Sequence, residues 1–189
     1  MRLARRIIQD YDRYDGFVIL HGQDTMAYSA SALSFLLENL AKPVIFTVHE
    51  LPIGIPRSDA RENLLTTIEI VLARRSDNLA MIPEVGIYFE YDLFRGNRTH
   101  KTSTEDFEAF ISPNYPKLAE AGVHLKYNSA YIRSPAKDAL VLHEKLETEI
   151  GILTTFPGMT ESYVSAILSQ KHMRALIIRS FGNGNVPTG

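Results

Sequence analysis

The sequence predicts a three-layer α/β domain with a mostly parallel sheet, followed by the start of a smaller α/β domain. Three observations predict it. Short continuous apolar runs, "FVIL" at 17–20 and "VIFTV" at 44–48, suit strands covered on both faces. Between them lies helical spacing, with Ala30, Leu33, Leu37 and Leu40 on one face and Glu38 and Asn39 turned away. The same alternation returns near the end of the chain, where "GILTTF", "TESYVSAILSQ" and "ALIIRSF" read as strand, helix and strand. Such links make right-handed parallel crossovers, whose ligands sit beyond the carboxyl ends of the strands.

In chain order, "MRLARRIIQD" reads as an amphipathic helix, its basic residues followed at once by Asp10, Asp12 and Asp15. After "FVIL" the next helix takes its cap from Asp24 or Thr25 and stops at Lys42-Pro43. "RSDARENLLTTIEIVLARR" is helical, with Ser58 or Asp59 as cap, and Arg61 and Glu62 as exposed charges. "EVGIYFEYDLF" reads as one long strand, and "RGNRTHKTS" as a polar loop punctuated by glycine. Residues 105–121 are expected to be partly helical, broken by Pro113 and Pro116, and "VHLKYN" to be a strand. The domains expected are 1–127, then a polar linker at 128–150, then 151–189. Loops 21–25, 48–57, 95–102 and 182–185 are the expected rim for chemistry.

Composition excludes several classes. The 189 residues are 45% hydrophobic and 22% charged, an ordinary globular balance. A net charge of −2 argues against a general nucleic-acid binder. The absence of cysteine removes disulfides, thiolate metal sites and a cysteine nucleophile. No apolar run approaches the roughly 20 residues that span a bilayer, and no signal-peptide core follows the basic start. The expectation is a cytoplasmic protein.

Two residues carry the candidate chemistry. Asp24, at a helix start, fits either a group that binds a substrate ammonium or a plain cap and turn. Lys101 lies among Arg95, Asn97, Arg98, Thr99 and Thr102; it fits a proton relay if burial lowers its pKa, or a solvated loop lysine. The Gly182-Asn183-Gly184-Asn185 stretch supplies a tight turn and lacks the Lys-Ser or Lys-Thr of a phosphate loop. The six histidines show no metal-ligand spacing, and Gly-x-Ser-x-Gly is absent.

Four segments carry a resemblance. "YDGFVILHGQDTMAYSASALSFLLENLAKPVIFT", "RSDARENLL", "LFRGNRTHKTSTEDFEAFISPN" and "ALIIRSFGNGN", in that order, resemble type I L-asparaginases, the cytoplasmic bacterial class. The resemblance implies hydrolysis of L-asparagine to L-aspartate and ammonia through a threonine nucleophile and an acyl-enzyme, with no metal or cofactor. It also implies L-asparagine or L-aspartate as the bound amino acid and a homo-oligomer, or association with a homologue. Carried over by position, Asp24 matches the aspartate that holds the α-amino group, and Lys101 the lysine of a Thr-Lys-Asp group. Gly22, Gln23, Asp24 and His49 are the implied substrate-binding set.

Departures are as informative. Position 23 holds Gln23 where the family has that group's threonine, and a glutamine amide cannot pass a proton as a hydroxyl does. Thr47, Val48, His49 and Glu50 stand where the family shows Thr-Gly-Ser-Gln. The family's Thr-Gly-Gly-Thr-Ile segment, with the primary nucleophile on the first strand, falls before Met1, and most of its small domain falls after Gly189. The expectation is an asparaginase-type amidohydrolase that is catalytically impaired in this chain. The alternative is a non-catalytic scaffold that binds an amino acid or a homologue.

Overall fold

The structure is a computed structural model, described over residues 1–48, 60–102 and 109–187. Backbone contacts divide it into two units, 1–144 and 145–189.

In the first unit, α1 (Arg2–Asp10) buries Ala4 and Ile7. A 3-10 turn, Tyr11–Arg13, leads to β1 (Phe17–Leu20). Helix α2 (Gln23–Leu36) buries Met26, Ala27, Ala30, Leu33 and Leu36. Its cap is Gly22, with no side-chain hydrogen bond, so neither Asp24 nor Thr25 serves as the expected cap. The helix also ends earlier than its spacing suggests. Leu37–Glu38 turn into β2, which pairs antiparallel with β10, introduced below, and Asn39 then takes a left-handed φ of 61°.

Strand β3 (Val44–Thr47) is buried along its whole length, as its apolar run requires. Helix α3 (Ala60–Leu72) follows; the expected caps Ser58 and Asp59 lie outside the described residues. The "EVGIYFEYDLF" stretch is not one strand. It folds back as a hairpin of β4 (Val85–Phe89) and β5 (Asp92–Arg95), with Phe89 opposite Asp92. Glu90 and Tyr91 form the turn with φ of 42° and 72°. A two-residue hairpin loop matches strand twist best with left-handed central residues, a conformation Asn-Gly adopts at little cost and Glu-Tyr does not. Tyr91→Gly is therefore expected to raise stability by about 1 kcal/mol. A urea midpoint that fails to rise would contradict that reading of the turn.

A 3-10 turn, Gly96–Arg98, precedes β6 (His100–Lys101), which pairs with β7 (Phe110–Ile111). Strands β8 (Ala119–Ala121) and β9 (Leu125–Tyr127) follow. The partly helical character expected over 105–121 is not found between 109 and 121, where β7, turns and β8 stand; residues 103–108 lie outside the described set. The six-stranded sheet has the order β1-β3-β4-β5-β8-β9. β1, β3, β4 and β8 run one way, β5 and β9 the other. α2 packs on one face with Phe46, Ile87 and Phe94, while the other face gathers Ile45, Ile70 and Leu93.

The stretch expected to be a linker, 128–150, is held against the first unit as far as Glu144. β10 (Val141–Leu142) pairs with β2, and the Arg133 backbone N–H donates to Glu84 at 3.0 Å. Glu84 and Arg95 form the ion pair behind this arrangement, both side chains nearly buried. Arg95 also donates to the Tyr131 carbonyl at 2.9 Å and lies 4.2 Å from the Tyr115 ring centroid. Burial alone would push the Arg95 guanidinium down, but the hydrogen bonds and charge of Glu84 outweigh it and hold its pKa above the ordinary value.

The second unit is a parallel pair, β11 (Ile150–Thr154) and β12 (Ala175–Arg179), crossed by α4 (Glu161–Leu168). Thr160 caps α4 by accepting from the Tyr163 N–H. Gly184, at φ +85°, makes the turn that the Gly-Asn-Gly-Asn stretch predicts.

Candidate functional site

β1, β3 and β4 point their carboxyl ends to one edge of the sheet, and that edge is where the loop 21–23 starts α2. The His21 N–H donates to the Thr47 carbonyl at 3.0 Å, so the β1–β3 pairing continues one residue past the strand. The His21 ring lies 5.7 Å from Phe46, tilted against it. Gly22 has an ordinary φ of −68°, and a side chain there would meet nothing within 4 Å. The glycine is therefore not required by the backbone, and open space lies beside it.

Gln23 is the first residue of α2 and Asp24 the second, which sets a carboxylate in the first turn, where the exposed N–H groups favour negative charge. The Gln23 Oε1 atom is buried and has no hydrogen-bond partner among the described residues. The Asp24 side chain is 85% exposed, and one oxygen accepts from Lys101 Nζ at 2.7 Å. Lys101 itself is only 13% exposed, so its stem is packed and its ammonium alone reaches the rim.

What brings two residues 77 positions apart into contact is the reversal at Glu90–Tyr91. β5 runs back toward the opposite edge of the sheet and ends at Arg95. Gly96 then passes against Ala30, midway along α2; a Cβ at 96 would stand 3.2 Å from that of Ala30 and 3.0 Å from the Val85 carbonyl oxygen. From there residues 97–101 return alongside α2 toward its N-terminus. The loop 95–102 thus begins at the far edge and arrives at the rim only with Lys101, a correction to the placement of the whole loop there.

Packing fixes the end of that path. Lys101 is paired with Phe110, and the Thr102 N–H donates to the Ala109 carbonyl at 2.9 Å. Phe110 is buried and meets Phe89, the last residue of β4, edge-on at 5.2 Å. The hairpin carrying the lysine is therefore pinned to the carboxyl end of a central strand. No local sequence signal marks Phe89 and Phe110 as a pair; only the fold joins them.

An ion pair with one partner this exposed contributes about 0–1 kcal/mol. Its chemical value is different: a carboxylate open to solvent with a fixed ammonium behind it can exchange part of its pairing for an incoming ammonium. His49 and Glu50 lie outside the described residues, as do Ser58 and Asp59. Thr47 and Val48 are buried, and the Thr47 hydroxyl has no partner among the described residues. Among the described residues no three histidine or carboxylate side chains come together as a metal site, and no helix is long and apolar enough to cross a membrane.

Comparison with known proteins identifies the family of the fold. The family model "Asparaginase, N-terminal" matches residues 1–133. L-asparaginase 1 of Escherichia coli K12 is 44% identical over 185 residues, covering 98% of this chain and 53% of that protein. The 60 kDa lysophospholipase of Mus musculus is 42% identical over 189 residues, covering all of this chain and 32% of that protein. The crystal structure of L-asparaginase I from Vibrio cholerae superposes with a TM-score of 0.89 at 39% identity, over 99% of this chain and 55% of that one. This chain spans about half the length of those L-asparaginases and a third of the lysophospholipase. With 133 of its 189 residues matched by the family model, the chain belongs to the asparaginase family.

Proposed function

We propose that this protein is an asparaginase-type amidohydrolase whose amino-acid subsite is built on Asp24 and Lys101 and whose proton relay is impaired at position 23. The observation that carries the reading is the 2.7 Å contact between Lys101 Nζ and Asp24 at the carboxyl edge of the sheet. In this reading the α-ammonium of L-asparagine binds the exposed Asp24 carboxylate. Lys101 stays behind as the group that would tune a neighbouring proton donor, and Gly22 leaves room for the substrate. L-asparagine and water become L-aspartate and ammonia: the amide C–N bond breaks, a C–O bond forms, and a proton must reach the leaving nitrogen.

That proton is where the chain departs from the pattern that the family resemblance implies. A threonine at 23 would offer an O–H that both gives and accepts; Gln23 offers an amide whose N–H is not acidic enough to be given. Losing one acting member of such a unit typically costs several powers of ten in rate. A non-catalytic amino-acid binder, or a partner of a homologue, is the second reading, and Gln23, with a buried oxygen that has no partner among the described residues, is the observation that favours it. Cytoplasmic location, assembly as a homo-oligomer and the absence of a cofactor are part of the same proposal.

The test is ammonia release from L-asparagine by the purified chain. The expected turnover is at least about 1000-fold below that of a complete L-asparaginase assayed alongside it. Comparable turnover would contradict the role given to position 23.

A further inference from the structure

A second concavity opens at the sheet edge opposite the Asp24–Lys101 rim. There the end of α2, the start of β4, the end of β5 and parts of 133–143 enclose a cavity of about 410 Å³. Its lining lies wholly within the first unit. Phe35, Leu40 and Val85 give it apolar surface. Two carboxylates line it as well, and both are engaged: Glu84 by the nearly buried Arg95, and Glu38 by His143 at 2.6 Å. Arg133 is different. Its backbone N–H is fixed on Glu84 at 3.0 Å, but its exposed guanidinium has no ion-pair or hydrogen-bond partner among the described residues. Asn97, also in the lining, has a buried Oδ1 acceptor with no partner among the described residues.

We propose that this cavity binds a small organic monocarboxylate with an apolar body and a hydroxyl donor. The guanidinium of Arg133 is planar and offers paired N–H groups, the geometry that a carboxylate accepts. Its backbone is already anchored, so only the side chain has to be ordered when the ligand arrives. A single negative charge fits best. Glu38 and Glu84 stand in the same lining and would repel the second charge of a phosphate ester. A zwitterionic amino acid fits poorly, since neither carboxylate is free to receive its ammonium. The Asn97 oxygen adds a preference for a ligand O–H, because a buried acceptor left without a donor is costly. The site lies at the opposite end of α2 from Asp24, so the proposal does not rest on the amidohydrolase reading.

The probe is 4-hydroxyphenylacetate, titrated against the full chain and followed by ligand-observed NMR. Saturable binding is expected. Arg133→Gln, which keeps the backbone N–H on Glu84, should weaken it at least about tenfold with unchanged far-UV circular dichroism. The neutral 4-hydroxyphenylacetamide should bind the wild-type chain at least about tenfold more weakly, a comparison that needs no variant. Phenylacetate, without the hydroxyl, should also bind more weakly, and 4-hydroxyphenyl phosphate no more tightly. Asp24→Ala should leave the affinity unchanged. Absence of saturable binding would overturn the proposal. So would equal affinity for the amide or for phenylacetate, tighter binding of the phosphate, indifference to Arg133→Gln, or loss of binding in Asp24→Ala.

Discussion

Glu84→Ala is expected to destabilise the first unit by about 3–5 kcal/mol, the largest single-residue effect on the fold. Glu84 stands at the entrance to β4, with its carboxylate bonded to Arg95 and to the Arg133 N–H. Removing it leaves a guanidinium whose side chain is 11% exposed with no opposing charge, and it orphans a backbone donor. The Tyr131 carbonyl and the Tyr115 ring stay close to Arg95 but cannot replace a full negative charge. The cost should therefore reflect the stranded cation more than the lost attraction. A double variant, Glu84→Ala with Arg95→Met, removes that cation and should recover a large part of the loss. Urea unfolding followed by far-UV circular dichroism measures both. A loss below about 1 kcal/mol for Glu84→Ala would show that water already reaches the pair.

At the site, the largest effect expected is on binding. Asp24→Ala should weaken uptake of L-aspartate by about 100-fold, from two causes that act in the same direction. The charge-assisted hydrogen bond to the ligand ammonium is lost, which is worth about 1.5–3 kcal/mol. Lys101, nearly buried and stripped of its carboxylate, then opposes the same ammonium with its own positive charge. Lys101→Met should act differently. It frees Asp24 from its pairing, so the carboxylate remains available and the loss of affinity should be much smaller. The ordering of the two variants separates a subsite centred on the carboxylate from a surface ion pair with no ligand.

How far the sequence reveals this arrangement depends on the element. β1, α2 and β3 are legible as elements because their patterning is local: four buried residues in a row in β3, and Ala30 with Leu33 on the buried side of α2. β1, however, is a half-buried edge strand with Leu20 exposed, and is not covered on both faces as its apolar run suggests. The end of α2 is not, because Leu37 and Glu38 pair with residues more than a hundred positions later. The hairpin at Glu90–Tyr91 is hidden for a different reason. It lacks the Asn-Gly or Asp-Gly that marks such turns, and its left-handed φ values are imposed by the strands on either side. That one missed reversal also explains why the path to Lys101 could not be derived from periodicity. The lysine was legible as a candidate relay in a donor-rich loop, and its pairing with Asp24 in one site only through the resemblance of its segment to a family; the contact itself depends on Gly96 and on Phe110 against Phe89. The Glu84–Arg95 pair was likewise invisible, since charged residues at strand ends usually face water.

Titration calorimetry of L-aspartate into the wild-type chain and into Asp24→Ala probes most directly whether this corner of the molecule recognises an amino acid. The carboxylate-centred subsite predicts saturable heat from the wild type and a roughly hundredfold weaker isotherm from the variant. Equal affinity in the two proteins, or no heat from either, would mean that Asp24 and Lys101 merely neutralise each other at the surface.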